Sequence, residues 1–309
     1  MKLPSNFNSC SICLREIELT WEHIIPESIG GSLESDIQCS DCNNTLGTKI
    51  VSKAKQNYPV RLAIRSLRTT LPALFNAIEE GQLYTGIDTE GEAENLLFKR
   101  GTLKTVSHKT EEGILNVDQS VTVEKINSML SKEGLKPEQV EKALGTFEQV
   151  SPNKPVQLSE TYSAIKRKYK DVYQTPGDVD MDERNIMLIA YNYLCIMFGE
   201  LVFDSLFNDV RSFITSQIQS TEQFEINQIP YTHDYQPYHS IFYEAHPEQL
   251  RIEIVLFGSI VYQVTFHKMT AHRDLNFVYI EDLKNARLLF ANTLNDVKQR
   301  NFRTNKSIS

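Results

Sequence analysis

Long apolar runs are missing from this chain. The longest uncharged apolar run, Ile186 to Gly199, is 14 residues and is followed by Glu200 and Asp204. That is short for a bilayer span and suits a buried core helix. The opening residues, Met1-Lys2-Leu3-Pro4-Ser5-Asn6, have no apolar segment of the kind a signal peptide needs. Both absences lead us to expect a soluble cytoplasmic protein with no membrane partner. A positive net charge is also missing. The formal charge is −8 and the pI near 5.5, which excludes a globally basic protein that coats nucleic acid but allows a local basic footprint. There is no internal repeat and no low-complexity tract. Cysteine is nearly absent after residue 42: four of the five lie before it as two Cys-x-x-Cys pairs. In a reducing compartment such clustering favours metal thiolates over disulfides.

What remains is an ordinary globular composition. The 309 residues are 40% hydrophobic and 23% charged, enough to bury real cores in one large or two ordinary domains. We read an α+β chain in three segments: 1–57, a cysteine-clamped module; 58–81, a basic helical connector; and 82–309, a larger mixed α+β domain. In the first segment a helix is expected from Ser40 through Lys49 to about Ala54. Pro59 opens a second at its first position, with Val60, Ile64, Leu67 and Leu71 forming its apolar face. Strand-like text from Gln82 to Val123 precedes two short helices, near Val123–Lys132 and Pro137–Phe147. The segment Lys154–Gly177, with Lys166, Arg167, Lys168 and Lys170, reads as loop-rich. A long helix or helix pair spans Glu183–Thr215, followed by strands at Ser240–Glu244, Arg251–Phe257 and Ile260–Phe266. Asn276–Ile280 adds a fourth strand, and Glu281–Val297 a closing helix. Cys195 reads as a core thiol.

The chemistry is concentrated at the start. Cys10-x-x-Cys13 and Cys39-x-x-Cys42 can place four thiolates tetrahedrally around Zn²⁺, closed to water as a structural site should be. A short segment with a thin core needs such a staple, and metal binding then contributes directly to folding. Between the knuckles lie Trp21-Glu22-His23-Ile24-Ile25-Pro26 and Gly30-Gly31, and after the second knuckle Asn43. His23 is the only histidine in the first 107 residues. Imidazole changes charge near neutral pH, which suits a general base. Glu22 and Asn43 offer oxygen ligands, which suit Mg²⁺ or Mn²⁺ better than Zn²⁺.

In this order, an acidic residue and His, Ile-x-Pro, a Gly-Gly turn and Cys-x-x-Cys-Asn, the segment resembles the HNH, or ββα-metal, endonucleases whose hairpin and helix are clamped by four cysteines. The resemblance covers about residues 8–50. It implies a metal-dependent endonuclease acting on nucleic acid, most readily double-stranded DNA. His23 would be the general base, Glu22 and Asn43 the ligands of a catalytic Mg²⁺ or Mn²⁺, and the cysteines the structural zinc site. Two departures stand out. Glu22 replaces the more usual Asp, and the Asn that orients the histidine in many members has no clear match, Asp36 being the nearest position. Gly47, one turn beyond Asn43, offers no second ligand from the helix.

From Asn43 to Ile78 there is no acidic residue, while Lys49, Lys53, Lys55, Arg61, Arg65 and Arg68 give +6, leaving −14 on the rest. A basic stretch directly after the helix is what phosphate tracking would use. Segment 82–309 is expected to sense, target or assemble through a ligand, a partner protein or a second copy of the chain. That layout resembles bacterial defence and restriction effectors, a fold-level analogy. Two rivals stay open: a zinc-stabilised nucleic-acid-binding module without cleavage, and an enzyme whose main work lies in the C-terminal portion.

Overall fold

The structure is a computed structural model that describes residues 1–88, 91, 93–105, 114–118, 130–132, 134–149, 155–157, 163–167, 169–173, 181–216, 222–230, 233–246, 249–267, 278–285 and 287–291. The chain divides into two compact units, Met1–Phe75 with Gly177–Ser309, and Asn76–Pro176. The first unit is therefore built from both ends of the sequence.

In that unit, β1 (Lys2–Leu3) runs parallel to β3 (Glu34–Cys39), and β3 pairs antiparallel with β2 (Leu19–His23). The β2–β3 register slips between Thr20 and Trp21, leaving Ile37 as a bulge. Such a bulge bends a strand and re-aims its side chains. The chain leaves β3 directly into α1 (Ser40–Lys49). This helix stops short of the expected Ala54, and a 3-10 turn, Val51–Gln56, takes over. Helix α2 (Tyr58–Ser66) is capped by Asn57, whose Oδ1 accepts from Val60 N at 3.1 Å. Pro59 therefore occupies the second helical position rather than the first. The expected apolar face of Val60, Ile64, Leu67 and Leu71 is buried.

Helix α3 (Pro72–Glu79) leads into the second unit. There β4 (Leu83–Asp88), β5 (Ala93–Lys99) and β6 (Thr102–Thr105) form a meander, followed by β7 (Ile114–Asp118), α4 (Pro137–Gln149), β8 (Pro155–Gln157), β9 (Ser163–Arg167) and β10 (Tyr169–Tyr173). Their sheets run β10-β4-β5-β6 and β7-β9-β8. The segment read as loop-rich thus supplies three strands. Strand β10 pairs with β4, some eighty residues earlier, a non-local partner that no local pattern announces. Most of the helix expected at Val123–Lys132, and Lys168, lie outside the described residues.

The first unit resumes with α5 (Glu183–Phe198), a 3-10 turn (Gly199–Phe203) and α6 (Asn208–Ser216), the expected helix pair. Asp182 caps α5 by accepting from Arg184 N at 3.0 Å. Residues 183–203 are long and apolar enough to cross a membrane by length and composition. However, Asn185 through Cys195 are all buried, and α5 packs on both β3 and the six-stranded sheet that follows. Cys195 is buried in this core, where desolvation pushes its thiol up to about 12.

That sheet is antiparallel, in the order β11-β14-β13-β12-β15-β16, from β11 (Phe224–Ile229), β12 (Tyr238–His246), β13 (Gln249–Leu256), β14 (Ile260–His267), β15 (Val278–Asp282) and β16 (Arg287–Ala291). Leu250, Ile252, Ile254 and Leu256 on β13, with Ile260, Tyr262, Val264 and Phe266 on β14, alternate into the core. The closing helix expected at Glu281–Val297 is replaced through Ala291 by the β15–β16 hairpin, and residues from 292 lie outside the described set. Turn chemistry overrides the apparent helical spacing. Asp282 Oδ1 accepts from Lys284 N and Asn285 N at 3.0 and 3.1 Å, and Asn285 Nδ2 donates back to Asp282 Oδ2 at 2.7 Å.

Two glycines of the N-terminal module make opposite predictions. A Cβ on Gly31 would lie 1.9 Å from the Ile25 carbonyl oxygen, whereas one on Gly47, inside α1, would meet nothing within 4 Å. Gly31→Ala should destabilise the protein by about 3 kcal/mol or more, read as a fall in Tm. Gly47→Ala should stabilise it by about 0.5–1 kcal/mol. Equal effects would refute the packing described.

Candidate active site and metal centre

The first knuckle is a tight turn. Cys10 N donates to Arg15 O at 3.0 Å, Leu14 N to Cys10 O at 2.9 Å, and Leu14 takes a left-handed conformation with φ 61°. Ser11 N donates to Ile37 O at 2.9 Å, tying the turn to β3. The second knuckle is the start of α1, with Cys39 as its N-cap and Cys42 in its first turn. The positive end of the helix dipole therefore faces the sulfurs. All four Sγ atoms lie within 4.8 Å of one another, and Cys13 and Cys39 are 3.8 Å apart. Zinc–sulfur bonds of about 2.3 Å in a tetrahedron place sulfurs just under 4 Å apart, so the cluster fits zinc.

Arg15 sits against this cluster. Its Nε donates to Cys13 Sγ at 3.3 Å, and its Nη2 lies 3.9 Å from Cys39 Sγ and 3.0 Å from Asp41 Oδ2. Burial opposes ionisation of Cys13, but Arg15 and the neighbouring thiols outweigh it and bring the thiol down to about 6. From the core side, Tyr191 on α5 donates its hydroxyl to Ser11 O at 2.8 Å, and buried Arg211 on α6 donates to that hydroxyl at 3.2 Å.

On β2, Glu22 is buried while His23 is half-exposed, as alternation along a strand requires. Burial, and then the charge of Glu34, push the Glu22 carboxyl up to about 7. Asn43 on α1 holds the helix to the same strand. Its Nδ2 donates to Thr20 Oγ1 at 3.2 Å and to Trp21 O at 3.0 Å. Both bonds use the amide nitrogen, so the atom Asn43 offers a cation is Oδ1. Glu22 and Asn43 thus carry hard oxygen donors, the kind that suits a divalent cation.

The residues expected to act together are only partly brought together. Asp36 stands opposite Trp21 in the β2–β3 register, and its carboxylate accepts from Ser5 N while Ser5 Oγ donates to Asp36 O at 2.7 Å. The residue opposite His23 is Glu34, whose Oε1 lies 3.9 Å from His23 Nε2 and whose Oε2 lies 3.5 Å from Lys2 Nζ. Asp36 is the nearest match to the family's Asn, but strand pairing decides which side chain faces the histidine, and the bulge at Ile37 brings Glu34 there. The basic set is split as well. Lys49, Lys53, Lys55 and Arg68 are exposed, whereas Arg61 and Arg65 are half-buried on α2 and engaged with neighbours.

The Gly-Gly turn after His23 is held by the distant sheet. Gly30, at φ 104°, packs against Leu74 and Leu283. His239 on β12, fully buried, accepts from Phe257 N on Nδ1 at 3.1 Å, so its protonated Nε2 donates to Ile29 O at 3.0 Å. Burial depresses its pKa and keeps it neutral.

A strand pair, a bulge, a helix and two cysteine knuckles thus surround an acidic-His pair, and comparison with known families agrees. Residues 9–59 match the HNH endonuclease family. The N-terminal module is therefore an HNH module with a cysteine cluster, and the match supports nuclease activity, a nucleic acid substrate and the use of divalent metal. Comparisons with curated proteins and with solved structures find no significant match.

Purified protein should carry about one zinc per chain, by elemental analysis. Cys39→Ser or Cys42→Ser should lose it and unfold the module. Arg15→Ala should keep the fold but weaken zinc about 10- to 100-fold in competition with a chelator, the usual effect of removing a partner of a metal ligand. A folded, zinc-free protein would contradict the assignment.

Proposed function

We propose that the protein is a metal-dependent endonuclease that hydrolyses nucleic acid phosphodiesters, DNA first among them, through a single catalytic cation at its HNH module. The observation that carries this reading is the bond from Asn43 Nδ2 to Trp21 O, 3.0 Å. It joins the helix to the strand one residue before the Glu22-His23 pair, so that three candidate groups sit on one rigid joint. Glu22 and Asn43 would hold Mg²⁺ or Mn²⁺, which supplies charge stabilisation at the scissile phosphate when bound. His23 takes the proton from the attacking water. Glu34, rather than Asp36, positions the imidazole through its carboxylate and stabilises it once protonated. Lys49, Lys53, Lys55 and Arg68 are exposed to meet the phosphate backbone.

One such site cuts one strand, so double-strand breaks would come from paired sites or successive nicks. We assign residues 76–176 and the six-stranded sheet to sensing, targeting or assembly, in a cytoplasmic defence or restriction setting.

The test is nicking of supercoiled plasmid by the full-length protein in Mg²⁺, Mn²⁺ and EDTA. His23→Ala should lower cleavage by about 10²–10⁴-fold with zinc content and DNA affinity retained. Glu22→Ala and Asn43→Ala should recover part of their loss as Mn²⁺ is raised, whereas His23→Ala should not. Cleavage by His23→Ala at the wild-type rate would leave the binding-module reading in its place. Separately, changing Lys49, Lys55 and Arg68 together to Glu should weaken DNA binding and flatten its dependence on salt. An unchanged salt slope would remove these residues from the interface.

A further inference from the structure

The only tryptophan in the chain is 36% exposed, and it stands two residues before His23. Side chains alternate along β2, so Trp21 shares a face with His23 while buried Glu22 points to the other. On β3 the residues opposite that face are Asp36, across from Trp21, and Glu34, across from His23. The backbone beneath the indole is fixed by the bond from Asn43 to the Trp21 carbonyl. Lys2, anchored by the pairing of β1 with β3, brings its Nζ within 4.7 Å of the ring centroid and itself remains half-exposed to solvent.

An indole carries a large apolar surface that is usually buried. Here it is about a third exposed beside a base, two carboxylates and the lysine that lies over its ring, where a polyanion is the expected visitor. Every nucleobase offers a flat π face, and stacking on an aromatic side chain needs no particular base. A base inside a continuous duplex is already covered on both faces and cannot stack on a side chain without leaving the helix.

We propose that Trp21 is the stacking platform for an unpaired nucleobase next to the scissile phosphate, with Lys2 meeting the adjoining phosphate. The favoured substrate is then nucleic acid that is single-stranded or bulged at the cut, rather than unbroken duplex. This rests on the nuclease reading above and narrows it to a substrate class.

Because there is one tryptophan, its fluorescence reports on this position alone. Full-length His23→Ala protein, which binds without cutting, is titrated with a short oligothymidine strand and with a fully paired duplex of equal length. The single strand should quench the emission and the duplex should change it little. Trp21→Ala should weaken oligothymidine binding roughly 5- to 150-fold, the range for loss of one stacked base, and Trp21→Phe should keep most of the affinity. With His23 intact, a duplex bearing one bulged base should be cut faster than its fully paired counterpart, and Trp21→Ala should erase the difference. If Trp21→Ala fails to fold, the quenching and Trp21→Phe decide. Oligothymidine binding that leaves the emission unchanged, or equal cutting of bulged and paired duplexes, overturns the stacking role while the nuclease reading stands. A protein that neither binds nor cuts any of these DNAs in Mg²⁺ or Mn²⁺ overturns both.

Discussion

The burial of α5 between two layers is the constraint on which the first unit depends. The helix has apolar residues on all sides, and it is satisfied only because β3 covers it from one direction and β11, β13 and β14 from others. The HNH module is too small to build an adequate core of its own. It obtains one by sharing α5, and the shared surface contains polar links as well as hydrocarbon. Gln38 Nε2 donates to Asn192 Oδ1 at 3.0 Å inside the interface. Buried hydrogen bonds of this kind fix register, since a slip would strand both partners at a cost of about 1–3 kcal/mol each.

Three links from the later sequence reach three parts of the module: Tyr191 to the first knuckle, Asn192 to β3, and His239 to the turn after His23. The cysteine cluster and the core helix therefore restrain the same hairpin. Such over-determination suits a site in which a carboxylate must stay buried near other negative charge, because the surrounding frame and not the site itself holds the geometry.

The module was legible in the sequence because its signals are local. Cysteine spacing, the Gly-Gly turn and the acidic-His pair each follow from chemistry acting over a few residues, and Val60, Ile64, Leu67 and Leu71 report a buried helix face directly. What was not legible is non-local. The partner of His23 depends on a bulge: an unbroken register would set Ser35 opposite it, and the one-residue slip puts Glu34 there instead. The β15–β16 hairpin was hidden because Leu283 and Phe290 also fit helical spacing, and the turn bonds of Asp282 decide between the two. The pairing of β10 with β4 depends on chain closure over a long loop, which leaves no mark in either strand.

The split of the first unit between the two ends of the chain bears on the order of synthesis. The knuckles and the hairpin leave the ribosome first, but α5 begins only at Glu183 and the strand carrying His239 begins at Tyr238. At about 5–20 residues per second, the hairpin waits on the order of ten seconds or more for the surface that supports its Gly30-Gly31 turn. A nascent chain therefore carries every proposed catalytic residue before the framework that aligns them, and the proposed site is assembled only after α5 and β12 have been made.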